Sequence, residues 1–243
     1  MVHPALRISR RVGKFATDRY VVAWFIAVVV MYAAFTWLRA HPQHDPFAPL
    51  DLRDPVGIAT DFKLASLIDD PAVCAAALQR SEVEFRTLPA SGEGPCALLD
   101  RTQMTAAPLT PARPVSTCSV AAGLQMWLNT GLQKAAETHL ESRVVRIEHL
   151  GTNSCRRVNN SPNGPWSEHA PGNAIDIAAF VLKDGRRVSV LDDWEKGEKG
   201  AFLAAARDSA CDSFNSVLSP DYNAQHANHF HLDQGTRWGS VCR

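Results

Sequence analysis

The chain has 243 residues, enough for one domain of ordinary size with appendages, and 46% of them are apolar, enough for a sizeable core. Lys plus Arg total 25, as do Asp plus Glu, so net charge is zero with neutral histidines. That balance argues against a nucleic-acid partner, and no like-charge block, low-complexity tract or internal repeat points to a charged tail or an array.

The first element is Val21 to Leu38, an uncharged apolar run (VVAWFIAVVVMYAAFTWL). Crossing a hydrocarbon core of about 30 Å takes roughly 20 residues, and the run with its flanks suffices. Tyr20, Trp24 and Trp37 lie near its ends, where amphipathic rings favour the membrane interface. Arg7, Arg10, Arg11, Lys14 and Arg19 precede it against one acid, Asp18, which puts residues 1–20 in the cytoplasm and the remainder on the far side. A cleaved signal peptide is opposed by the length of the run and the lack of a clear small-x-small site after it. A buried core helix is opposed by its apolar character all round.

Cys74, Cys96, Cys118, Cys155, Cys211 and Cys242 all follow the run. An even number on the exported side predicts disulfides, with the pairing left open. No CxxC pair is present, which argues against a cysteine zinc cluster.

Residues 39–60 carry Pro42, Pro46, Pro49 and Pro55, which block a long helix and suggest a tether. The folded domain is expected over 61–243. A helix should open at Asp70-Pro71, with Asp as cap. Val83 to Leu88 and Cys96 to Leu99 look like strands around a turn at Ser91 to Pro95. Pro108, Pro111 and Pro114 mark a loop. Ser116 or Thr117 caps a longer helix to about Leu140, whose Ala121, Leu124, Leu128, Leu132, Ala135 and Ala136 form one apolar face. Val144 to Leu150 alternates as a strand, and Asp184-Gly185 joins Ala174–Leu182 to Arg187–Leu191 as a hairpin. Lys199 to Cys211 reads as a helix, with Phe214–Leu218 and His229–Asp233 as the last strands. Helices followed by a largely antiparallel sheet define an α+β domain.

Two segments carry chemistry: SEHAPGNAID at 167–176 and HANHFHLD at 226–233. Pro171-Gly172 breaks any helix between His169 and Asp176, which leaves His169 on a loop and Asp176 on the next strand. Alternation puts Ile175 and Ile177 on one face and Ala174, Asp176 and Ala178 on the other. A carboxylate on a core strand is costly by several kcal/mol unless it is paired or bound to a cation. His229 and His231 share one strand face, with Phe230 and Leu232 on the other. Two adjacent imidazoles repel when protonated, and coordinating a cation as neutral rings removes that cost. Two His and one carboxylate form a recognised catalytic zinc set.

The frame Ser167-Glu168-His169-Ala170-Pro171-Gly172-Asn173-Ala174-Ile175-Asp176 with His229-Phe230-His231 resembles the LAS metallopeptidases, a superfamily named for lysostaphin, D-Ala-D-Ala metallopeptidases and sonic hedgehog. It is most similar to the bacterial extensin-like C-terminal domain family, from about Asp61 to the end, including VLSPDYNAQHANHFHLD and the cysteine spacing. The resemblance implies a central antiparallel sheet with flanking helices, and Zn2+ held by His169, Asp176 and His231. His226, His229 and His231 share the His-x-x-His-x-His spacing of murein endopeptidases, which makes His226 and His229 the catalytic candidates. Arg156 is the candidate for a substrate carboxylate. The implied protein is a zinc-dependent peptidase acting on peptidoglycan, anchored by one helix in the inner membrane with its domain in the periplasm. One departure stands out. Many LAS enzymes have Glu or Asp three residues before the last His ligand, and this chain has Asn228. That residue favours the alternative, a non-catalytic metal-containing wall-binding or scaffold domain.

Overall fold

The computed structural model describes residues 16–111, 113–237 and 239–243. The basic residues Arg7, Arg10, Arg11 and Lys14 lie outside them. Helix α1 (Ala16–Ala40) contains a stretch, Thr17–Ala40, of mean hydropathy 2.2 with none of its apolar window buried. At 1.5 Å per residue it exceeds a ~30 Å hydrocarbon core, so it is long and apolar enough to cross a membrane.

The segment expected as a tether behaves differently. Its prolines do limit helix to one 3₁₀ turn, Pro42–His44. Leu50 and Leu52 nevertheless enter a core with Cys74, Leu78, Cys118 and Met126. Each buried Leu contributes about 1.5–3 kcal/mol, enough to draw a proline-rich strip onto the domain. Backbone bonds fix the strip: the Leu52 N–H donates to Ser81 Oγ at 2.8 Å, and Asn129 Nδ2 donates to the Leu52 carbonyl at 3.1 Å. Helix α2 (Thr60–Ala65) follows.

Helix α3 (Pro71–Arg80) starts as read. Asp70 Oδ1 accepts from the Ala72 and Val73 N–H groups at 3.0 Å, with Pro71 in the first turn. Strand β1 (Phe85–Thr87) pairs not with Cys96–Leu99 but with β2 (Thr102–Met104). Pro95 lies in the first turn of a 3₁₀ helix, Gly94–Cys96, and Cys96 is bonded to Cys155. That leaves only Leu98 to bridge Ser91. Burial of Thr102 and Met104 favours the later partner.

After β3 (Leu109–Thr110), Thr117 caps a near-continuous helix made of α4 (Cys118–Trp127), a π turn (Leu128–Leu132) and α5 (Gln133–Leu140). Its apolar face packs on the main sheet, together with α7 (Gly197–Ala210), which follows the short α6 (Val190–Asp193). The other strands are β4 (Val144–Gly151), β5 (Ala174–Leu182), β6 (Arg187–Ser189), β7 (Ser216–Leu218), β8 (Phe230–Asp233) and β9 (Val241–Cys242). Their order is β3-β4-β5-β8-β7-β9, with β6 also on β5. The centre is antiparallel, and the β3–β4 and β7–β9 pairings at the edges are parallel. Ile175, Ile177, Phe180, Phe230 and Leu232 fill the core under the helices. The six cysteines form Cys74–Cys118, Cys96–Cys155 and Cys211–Cys242. The domain is therefore α+β, as its pattern of elements implied.

Candidate metal centre

In the β5–β8 register Asp176 lies directly opposite His231, and Ile177 opposite Phe230. With period 2 this sends the isoleucine and phenylalanine into the core and leaves the carboxylate and imidazole together on the outer face. His169 reaches the same point from the loop before β5. Gly172 turns that loop at φ +74°, a conformation suited to glycine, and its N–H donates to the His169 carbonyl at 3.2 Å. Asn153 Nδ2 bonds the His169 and Ala170 carbonyls and holds the loop from the β4 side.

Three atoms converge. His169 Nε2, His231 Nδ1 and Asp176 Oδ1 are each 3.0 Å from the other two. Among the described residues these three side chains form the group able to hold a metal ion. Their outer contacts decide what they present. His169 Nδ1 lies 3.1 Å from the Thr152 carbonyl, which only accepts, so this nitrogen carries the hydrogen and Nε2 the lone pair. His231 Nε2 lies 2.9 Å from Asp233 Oδ2, and Asp233 Oδ1 accepts from the Gly235 N–H at 2.7 Å. As neutral rings, both histidines turn lone pairs toward Asp176 Oδ1. Three acceptors at such distances repel unless a cation or a proton lies among them. Four-coordinate zinc, with bonds of about 2.0–2.1 Å, separates its ligand atoms by roughly 3.3 Å, so the donor set fits this ion in type, number and spacing. Bonding of a ligand imidazole's second nitrogen to a carbonyl or carboxylate is the usual support for such a site.

In the absence of a metal a proton takes the cation's part. Burial lowers the His231 ring, but hydrogen bonds to Asp176 and Asp233 outweigh it and push the ring up to about 9. Burial raises Asp176, yet its hydrogen bonds to His169 and His231 hold it well below the usual carboxylate range. Without a metal, the cluster therefore keeps a proton where a cation would sit.

Around this floor stands a looser rim. His229 Nε2 is 3.5 Å from Asp176 Oδ1, outside the converging set, and its Nδ1 lies 2.8 Å from Asn228 Oδ1. Asn228 thus orients a histidine. His226 ends a 3₁₀ turn, Ala224–His226, with its ring 5.3 Å from that of His229 and 5.9 Å from that of His231. Asn223 Oδ1 accepts from the Gln225 N–H, so His226 Nδ1, 2.8 Å away, must also donate to it, and Nε2 keeps the lone pair. Burial pulls His226 down to about 4 and lowers His229, so both are neutral at pH 7. Arg156 is half-buried, and its charge lowers both rings further. Glu168 is engaged elsewhere: its Oε2 accepts from Asn173 Nδ2 at 2.8 Å.

The fold thus brings His169, Asp176, His231, His229 and His226 together, while Arg156 acts on the two rim rings through its charge. Asp233 was missed, although its place two residues after His231 on a strand puts it on the same face. The Thr152 carbonyl is backbone, and no side-chain pattern announces it.

Fold and site together define a disulfide-bonded α+β domain with a two-histidine, one-carboxylate cluster on its sheet. A family model described as "Extensin-like protein C-terminus" matches residues 72–243, and the chain belongs to that family. No curated protein and no solved structure matches it.

Proposed function

We propose that this protein is a membrane-anchored zinc peptidase of the LAS type that cleaves peptide bonds of peptidoglycan in the periplasm. The observation carrying this reading is the convergence of three lone pairs at 3.0 Å, each held by a second bond or by the sheet register. His169, Asp176 and His231 would hold the zinc. Bound there, zinc supplies Lewis-acid chemistry: it polarises a carbonyl and brings the pKa of a water from 15.7 toward about 7.

The chain's own groups do the rest. His226 and His229 are neutral at pH 7 and positioned to accept a proton from the attacking water and return it to the leaving amine, a role worth ~10²–10⁴-fold. Arg156 offers a cation at the rim for a substrate carboxylate. Helix α1 anchors the chain in the inner membrane, and the three disulfides suit the oxidising side.

A second reading, a metal-containing wall-binding domain without turnover, rests on Asn228, which has no carboxylate to serve as base. Incubating the purified full chain with zinc and muropeptides separates the two. Cleavage that disappears in His231→Ala supports the peptidase. Zinc-loaded wild type that binds sacculi but releases no product from any stem or cross-linked peptide rejects it.

A further inference from the structure

The strip after α1 does more than connect. Trp37, in the last turn of α1, stacks on His41 (centroids 4.7 Å) and on His44 (5.1 Å). The Ile58 N–H donates to His44 Nδ1 at 3.1 Å, and the Ala59 N–H to the Gln43 carbonyl at 3.1 Å. Lys63 is buried, and its Nζ donates to the Pro42 carbonyl at 2.6 Å. Gly57 permits the closure: a Cβ there would lie 2.4 Å from Gln43 O. Residues 41–63 are thereby folded into a collar directly against the end of the apolar helix. The same strip continues into the domain core through Leu50 and Leu52.

The collar turns large apolar side chains outward. Phe47 is 94% exposed, Ile58 85% and Phe62 66%. A single exposed apolar residue needs no explanation, but several on one small element do. Ile58 is bonded through its backbone to His44, which itself stacks on Trp37 at the end of the membrane-spanning candidate, so this exposed residue stands beside the end of that helix. We infer that Phe47, Ile58 and Phe62 insert into the headgroup–acyl boundary of the bilayer that α1 crosses, docking the domain on the membrane surface. The partner is the lipid surface itself. Aromatic and aliphatic side chains at this depth gain burial while the collar's backbone stays hydrated. The domain then cannot swing freely, and its site works at the membrane rather than at the reach of a tether.

This inference rests on α1 being an anchor, and the test separates the two claims. A photoreactive phenylalanine analogue is placed singly at positions 47, 58, 62, 30 and 99 of the full chain. Each variant is reconstituted in vesicles of phosphatidylethanolamine and phosphatidylglycerol and irradiated. Position 30 reports the helix, and Leu99, 79% exposed, reports an exposed apolar residue of the domain outside the collar. Lipid adducts at 47, 58 and 62 should exceed those at 99 by ~10-fold or more, as burial of an apolar side chain implies. Gly57→Val, which opens the collar, should lower them and leave position 30 unchanged. Adducts at 30 with none above background at 47, 58 and 62 overturn the docking and keep the anchor. No adducts at position 30 overturn both.

Discussion

His169, Asp176 and His231 sit at the sheet with their outer contacts fixed by a carbonyl, by strand register and by a carboxylate, whereas His226, His229 and Arg156 stand on or near the loops beside it. Each floor imidazole, once neutral, has its tautomer set so that a lone pair faces inward. The rim histidines are steered by neighbouring asparagines and by ring contacts, and burial lowers both. Rigid, supported donors suit holding a cation in one geometry. Neutral, less constrained imidazoles suit moving a proton to and from a substrate that arrives and leaves.

If that division is right, substitutions in the two regions should have separable effects. Among substitutions that leave the three metal-holding side chains in place, the largest expected effect on rate lies at the rim. Replacing His226 and His229 together by Gln should lower cleavage of muropeptides by ~10²–10⁴-fold with zinc content unchanged. Zinc lost in parallel with activity would erase the distinction.

A smaller effect should come from behind the floor. In Asp233→Asn a single oxygen must serve two donors, His231 Nε2–H and the Gly235 N–H. Zinc affinity, measured by competition with a chromophoric chelator, should fall by about 10–100-fold, with the circular dichroism of the fold retained. An unchanged affinity would remove Asp233 from the support of the site.

The smallest effect is a proton count. The metal-free His231 ring, ordinarily at 6.5, is raised to about 9, so the stability it adds is complete below pH 6.5 and is lost as pH rises through about 9. The melting temperature of the metal-free protein should decline over that window. At pH 7 zinc must displace the proton, and calorimetry in buffers of different ionisation enthalpy should count about one proton released per zinc. Release of none would mean that the floor is already deprotonated, like the rim.

Much of this was legible beforehand because it depended on local period or on a single cap. Alternation alone assigned Asp176 and His231 to the face opposite Ile175, Ile177, Phe230 and Leu232, and Asp70-Pro71 opened α3 where expected. Expectations failed where distant parts of the chain decided the outcome. Cys96–Leu99 has strand-like residues but is held by Cys155 from far along the chain. Residues 39–60 have a linker's composition, yet two leucines bind that strip to the domain. The tautomers of His169 and His231 depend on Thr152 and Asp233, and only folding brings Thr152 to the site. That support for the cation, unlike the cation set itself, was not readable from spacing.

The central claim is that the floor holds a metal, and the most direct measurement is metal content by mass spectrometry of the full chain after mild purification and dialysis, beside Asp176→Ala. About one zinc per chain in the wild type and almost none in the variant is the expected result, since removing the carboxylate leaves two of three protein ligands. A wild-type protein that stays folded, carries no metal and takes up none when titrated with zinc would contradict the account.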